Sequence, residues 1–210
     1  MKKLFFGALS FIICTSVFAQ SFEGTIEFKK QTLTDTVNYI YYVKNDMVRI
    51  DEIGSRSKKV EGSFIVDLKS GKMFSISHER KLYSEQSPGT PAVVNGKTEV
   101  TKTKNAKTLQ GYKCIEYIVK NKEEGVEVSY WITSDKFDFF VKLLKILNRK
   151  DKSSVYFQQI TDAEGMFPFF SAQKNSEGKE ETRLEVTKIQ KKIIDAANFE
   201  VPKNYQKFQK

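Results

Sequence analysis

The sequence predicts a mainly β domain of the α+β kind, an antiparallel meander accompanied by one strongly apolar helix. Three observations lead there. Apolar and polar residues alternate over most of the first two-thirds of the chain, which is the period of half-buried strands. Short polar turns separate these runs and leave little room for crossover helices. Residues 135–148 switch to the helical period. A single sheet of about ten strands cannot stay flat, so it must curl or split into two packed layers.

Phe22, Gly24, Ile26 and Phe28 alternate with Glu23, Thr25, Glu27 and Lys29 as the first strand. Residues 37–44 form the second, and Asn45-Asp46 turns the chain into a third at 47–51. A polar loop, 53–62, precedes strands at 63–68, 73–77 and 81–85. Ser87-Pro88-Gly89-Thr90-Pro91 breaks the alternation, and 92–97 reads as a flexible excursion too short to be a domain boundary. Strands resume at 99–104, 112–120 and 126–133. Trp131, the single tryptophan, follows Tyr130 in a position suited to a core or a cavity wall.

In 135–148, Asp135 can help cap the start, while Phe137, Phe140, Val141, Leu144 and Leu147 recur at helical spacing. Phe139, Leu143 and Ile146 add a second apolar flank, leaving Asp138, Lys142, Lys145 and Arg149 as a narrow polar stripe. One-sided packing needs an apolar arc of about 100°. This arc is wider, so the helix is expected to be enclosed on two sides, shielded by a partner or laid against lipid. Residues 153–160 fit a strand or a helix equally well. The patch Met166-Phe167-Pro168-Phe169-Phe170 contains a proline that argues against a central ladder position. Residues 182–191 alternate as a last strand. Beyond them, Pro202-Lys203-Asn204-Tyr205 reads as part of an extended strap.

Residues 1–19 read as a secretory signal peptide. Lys2 and Lys3 precede an apolar run, 4–13, too short for a hydrocarbon core of about 30 Å. Val17 and Ala19 stand at the small-residue positions of a cleavage site. Bulky Ile13 before Cys14 argues against a lipid-attachment signal. The expected division is therefore 1–19 as signal peptide and 20–210 as one domain. Cleavage after Ala19 leaves Cys114 as the lone cysteine, which excludes an internal disulfide framework and suits a small buried hydrophobe. Without Lys2 and Lys3 the formal net charge of +9 falls to +7. Export makes nucleic acid an unsuitable partner, and the scattered lysines suit a solvated surface or peripheral contact with an anionic membrane.

The residues for familiar catalysis are sparse. His78 is the single histidine, with no Gly-x-Ser-x-Gly elbow beside it, and it reads as a surface or turn residue. One histidine and one cysteine in the mature chain do not supply the usual zinc ligands. There is no phosphate-binding or dinucleotide-binding glycine motif, so no cofactor is expected. Asp51-Glu52 and Glu123-Glu124 are adjacent pairs, but neighbours on a strand point to opposite faces, and the second pair lies in a turn. The expectation is a non-catalytic protein.

Three segments carry a family resemblance: Lys107-Thr108-Leu109-Gln110-Gly111-Tyr112-Lys113-Cys114, Val128-Ser129-Tyr130-Trp131-Ile132-Thr133 before the helix, and Phe199-Glu200-Val201-Pro202-Lys203-Asn204-Tyr205 at the end. Together they resemble the DUF4412 family of secreted bacterial proteins, within the wider class of LolA/LppX-like folds. The resemblance implies a single strongly curved, unclosed antiparallel β-barrel, or half-barrel, with a helical plug. It also implies residence in the periplasm or at the outer membrane of a bacterium with two membranes. Well-studied branches of the class carry lipoprotein acyl chains or other lipids in the hollow, and the family supplies no catalytic residues.

Two functional expectations follow. The first is a carrier or sensor of an apolar ligand, a lipid or acyl chain, held by Tyr130, Trp131, Phe137, Phe140, Val141, Leu144, Phe167, Phe169 and Phe170. The second is an envelope structural or interaction module with a filled core and no ligand. The export reading has a direct check: the intact mass of the exported protein should correspond to a chain beginning at Gln20, and a chain beginning at Cys14 with added acyl mass would contradict it.

Overall fold

The computed structural model describes residues 21–208; the signal-peptide reading and the fate of Cys14 fall outside the described residues. Strands β1 (Gly24–Thr32), β2 (Thr36–Lys44), β3 (Met47–Ile53), β4 (Val60–Asp67), β5 (Met73–Ser77) and β6 (Leu82–Gln86) form one antiparallel meander. A second consists of β7 (Thr98–Leu109), β8 (Tyr112–Asn121) and β9 (Val126–Thr133). Helices α1 (Phe139–Leu147) and α2 (Lys152–Phe157) follow, then β10 (Phe167–Lys174) and β11 (Glu180–Lys191). Pairing of β1 with β11 joins the halves, and the short C-terminal β12 (Gln206–Lys207) lies parallel to β6. The result is one curved, unclosed sheet of twelve strands, with β12 and β7 at its edges.

Alternation assigns the faces. Ile26, Phe28, Tyr41, Val43, Val48, Ile50, Val66, Val128 and Tyr130 are buried in the main core on the inner face. Ile65 and Ile76, in the opposite phase, form a smaller outer core with Ile194 and Phe199 of the strap. Two glycines are required by the backbone. A Cβ at Gly24 would lie 2.0 Å from the Gln190 carbonyl oxygen of β11. Gln110 and Gly111, with φ of 49° and 82°, make the tight β7–β8 hairpin turn, whose two positive angles match the twist of the flanking strands.

The helix begins later than the apolar spacing suggests. Lys136 has φ of 57°, and the backbone on either side is already committed: Phe22 N–H donates to the Lys136 carbonyl and Phe137 N–H to the Gly165 carbonyl, both at 3.0 Å. Asp135 therefore does not cap α1 and lies 3.9 Å from Lys191 instead. Phe137 sits ahead of the helix with its ring stacked between Phe22 and Phe167 at 4.9 and 5.0 Å. Within α1, Phe139, Phe140, Leu143 and Leu144 are buried, while Asp138, Lys142 and Lys145 are exposed. The wide apolar arc is accounted for by enclosure between the sheet and α2, with Phe140 edge-on to Phe157 at 5.1 Å and to Phe167 at 4.7 Å.

Of residues 153–160, undecided from sequence, 153–157 belong to helix α2, which is capped by Asp151, whose carboxylate accepts from Ser154 N–H at 3.1 Å. The expectation for Pro168 is overturned, because β10 lies in the sheet interior between β9 and β11. Pairing with β11 starts only at Phe170, and the β9 register shifts between Pro168 and Phe170. The absent proline N–H thus falls where the ladder is interrupted, one of the places a strand proline is tolerated.

Leu143, fully buried in α1, measures how much the plug contributes. Leu143→Ala should destabilise the protein by about 2–5 kcal/mol in denaturant unfolding, whereas exposed Lys142→Ala should stay within about 0.5 kcal/mol.

Candidate functional site

Where α1 meets β1 and β2 the filling is incomplete. A narrow cleft of about 50 Å³ remains there. Phe28, Tyr39 and Tyr41 form the sheet wall, Phe140, Leu144 and Leu147 the helix wall, and Phe167, Pro168 and Leu184 the floor. Cross-strand register brings the wall together: Tyr39 lies opposite Phe28 and Tyr41 opposite Ile26. The Phe28 ring stacks on Tyr39 at 5.2 Å and meets Tyr41 edge-on at 4.7 Å. The remaining lining is polar: Lys30, Arg149, Asp151 and Ser154.

Lys30 continues the inward phase of Ile26 and Phe28, so a cation occupies a position that the alternation marks as apolar. Burial pushes the Tyr41 hydroxyl up to about 12, with Arg149 opposing and Asp151 adding to the shift. Tyr39 is also raised, first by burial and then by Glu52, its neighbour across the β2–β3 ladder. Both tyrosines are therefore neutral donors at ordinary pH. A larger hollow of about 470 Å³ adjoins Ser21 and is lined mainly by polar residues, among them Glu23, Asp135, Lys191 and Lys192.

The nine residues expected to line a ligand hollow separate into four groups. Phe140, Leu144 and Phe167 line the cleft. Tyr130, Phe137 and Phe169 are buried in the core without reaching it, and the Tyr130 hydroxyl donates to the Ser153 carbonyl at 2.7 Å. Val141 is half-buried on the flank of α1. Trp131 and Phe170 are misplaced by the expectation. They pair with each other on the face opposite Tyr130 and Phe169, where Lys107 lies 3.9 Å from the Trp131 ring centroid and Arg183 5.4 Å from that of Phe170. Strand parity is the reason, since consecutive residues cannot share a face. The inward phase of β1, carried two residues past Phe28, is the sequence signal that could have found Lys30.

A model of the domain of unknown function DUF4412 matches residues 22–205. The chain belongs to the DUF4412 family. Among solved structures it is similar to an uncharacterized conserved protein from Thermus thermophilus, with 8% identity, 91% of this chain and 93% of that chain covered, and a TM-score of 0.57. It is also similar to a chain of the Pseudomonas aeruginosa MucA/MucB complex, with 11% identity, 89% of this chain but 57% of that chain covered, and a TM-score of 0.52. No curated protein matches it in sequence. At these identities the likenesses concern the fold alone.

This DUF4412 member carries a second polar constellation, on the outer face beneath the strap. Asp51, 2% exposed, accepts from Arg49 Nε and from Ser63 Oγ, each at 2.6 Å. Ser63 Oγ lies 2.7 Å from His78 Nε2, and His78 Nδ1 lies 2.9 Å from the Tyr205 hydroxyl. Since the single Ser63 proton goes to Asp51, His78 Nε2–H must donate to Ser63 and Nδ1 must accept from Tyr205. His78 is thus a clamp on the strap, and the expectation of a plain surface or turn histidine misses this role.

The inventory suggests a hydrolase triad but the wiring does not. In a triad the carboxylate orients the imidazole and the imidazole takes the serine proton. Here the carboxylate holds the serine and a tyrosine holds the imidazole, while Ser63 is only 1% exposed. Cys114 offers no reactive thiol either, because burial pushes its pKa up to about 11.

His78 is held below the ordinary imidazole pKa by burial first and by Arg49 second, with Asp51 opposing. The unfolded chain then binds more protons between the folded pKa and about 6.5. Stability should rise with pH through that window, be fully present above it, and fall as pH drops. NMR of the single histidine should show a midpoint below about 6.5, and His78→Gln should flatten this part of the Tm–pH curve. A midpoint at or above the ordinary value would contradict the clamp.

Proposed function

We propose that this protein is an exported, non-catalytic envelope protein that binds the apolar part of a ligand, a lipid or acyl chain, between α1 and β1–β2. The observation that carries the reading is the cleft itself. It is where the helical plug and the curved sheet fail to close on each other, and its walls are aromatic and aliphatic, as small-molecule sites generally are. Export rests on residues 1–19. Among the described residues no helix is long and apolar enough to cross a membrane.

The free cleft has room for little more than a water or two, at about 30 Å³ each, so an acyl chain enters only with displacement of α1. Its small volume favours a second reading, a filled-core module that holds a protein partner. Delipidated protein and the neutral apolar probe N-phenyl-1-naphthylamine separate the two. Enhanced fluorescence with micromolar affinity, weakened by Leu144→Trp, is expected of the binding protein. Absence of binding, together with no co-purified lipid in native mass spectrometry, would leave the interaction module.

A further inference from the structure

We propose that the cleft takes an acidic amphiphile, a single apolar chain ending in an oxyanion, with Lys30 and Arg149 receiving the anionic head. The proposal rests on the reading that the cleft binds an apolar chain, and adds the chemistry of its head group.

Four polar groups face the apolar walls: the Lys30 ammonium, the Arg149 guanidinium and the hydroxyls of Tyr39 and Tyr41. All can donate, and the two cations can do nothing else. Lys30 and Arg149 are half-buried. Among the described residues neither cation forms an ion pair, and no side-chain hydrogen bond joins any of the four to another group. By comparison, the half-buried cations Lys44, Arg49, Lys152 and Arg183 each meet a carboxylate. A cation placed on the inward phase of a strand loses solvation and so favours a counter-charge.

Three acids, Glu52, Asp151 and Asp35, act on the cleft tyrosines, and none of them forms an ion pair with Lys30 or Arg149; Asp35 is exposed in the β1–β2 turn and accepts from Thr36 N–H at 2.7 Å. Asp151 is engaged as the cap of α2, accepting from Ser154 N–H and Oγ at 3.0–3.1 Å. Glu52 lies opposite Tyr39 on β3 and is exposed. Under the proposal, the oxyanion that pairs with the two cations comes from outside the chain. A carboxylate or phosphate on an apolar tail fits both halves of the lining, because charge-assisted bonds to guanidinium and ammonium reward an oxyanion while the rings and leucines reward the tail.

The test measures displacement of the bound neutral probe by palmitate and by hexadecanol, which share a chain length and differ in the head. Palmitate should displace at roughly tenfold lower concentration than hexadecanol, a modest advantage for charge-assisted binding. The double variant Lys30→Gln, Arg149→Gln should erase that advantage, and a cooperative thermal unfolding transition checks that the variant is folded. Equal displacement by acid and alcohol would overturn the head-group assignment while sparing the apolar cleft. An advantage that survives in the variant would overturn the role of these two residues. Displacement by acetate or inorganic phosphate alone would replace the amphiphile with a free-anion site, and failure of the probe to bind at all would remove the underlying reading.

Discussion

The fold depends on one connection. The chain leaves the sheet at Gln86 at the end of β6 and re-enters at Thr98 at the start of β7, and ten strand spacings separate those strands in the sheet order. In a flat sheet that distance would be about 48 Å at roughly 4.8 Å per strand. The linking residues, fully extended, reach only about 40–43 Å at 3.3–3.6 Å each. The sheet must therefore curl toward the connection, which runs past the inner side. Asn148 at the end of α1 donates to the Gly89 carbonyl at 2.9 Å, and Ala92 and Val94 pack against the core. Farther along, Glu124 accepts from Asn95 N–H and from Lys152. Burial alone would raise the pKa of Glu124, but bonds from Lys152, Tyr156 and Asn95 outweigh it and keep the carboxylate below its usual range.

Curling creates a concave volume, and the sequence fills it with rings. Phe22, Phe137, Phe139, Phe167 and Phe169 contact one another at centroid distances of 4.9–6.3 Å. Such pairs add to their burial a preference for tilted or edge-on geometry, so the cluster is a packed solid and not a fluid lining. The expected hollow is consequently reduced to a cleft at the side of α1 where Lys30 replaces an apolar residue. The outer face is closed by a different means, the strap, pinned by hydrogen bonds around Asp51 and His78 as well as by its small apolar core.

The division between what is and is not legible in the sequence follows the range of the interactions. β5 and β9 can be read to their exact bounds because alternation and turn residues are local. The helix start cannot, because the backbone there is held by the bond of Phe22 N–H to the Lys136 carbonyl and that of Phe137 N–H to the Gly165 carbonyl, whose partners lie more than a hundred and nearly thirty residues away in sequence. The tolerance of Pro168 depends on where β11 begins to pair, which no local pattern shows. Trp131 and Phe170 are a different case: parity beside Tyr130 and Phe169 is visible in the sequence and assigns them to the other face, so an aromatic run is not one surface. The cleft itself is beyond local reading, since it needs the pairing of β1 with both β2 and β11.

The plug and the cleft place opposing demands on α1. As a plug, each buried leucine or phenylalanine contributes about 1.5–3 kcal/mol by leaving water, so the closed state must dominate. Under the proposed reading, the same residues must also, as a wall, part for a ligand. If the competent state is a fraction f of molecules, the apparent Kd is the intrinsic one divided by f. Under the proposed reading the exchange is tolerable because it is not a simple loss. A methylene chain returns about 0.8 kcal/mol for each group it buries, replacing apolar contacts with apolar contacts, while the head group meets two cations that pair with no carboxylate among the described residues. The construction of α1 suits such an exchange. Its two ends are fixed by backbone breaks, φ of 57° at Lys136 and 44° at Asn148, and no side chain caps its N-terminus. Its hold on the sheet therefore comes chiefly from the apolar face, the one part of the helix whose partners a lipid chain can replace.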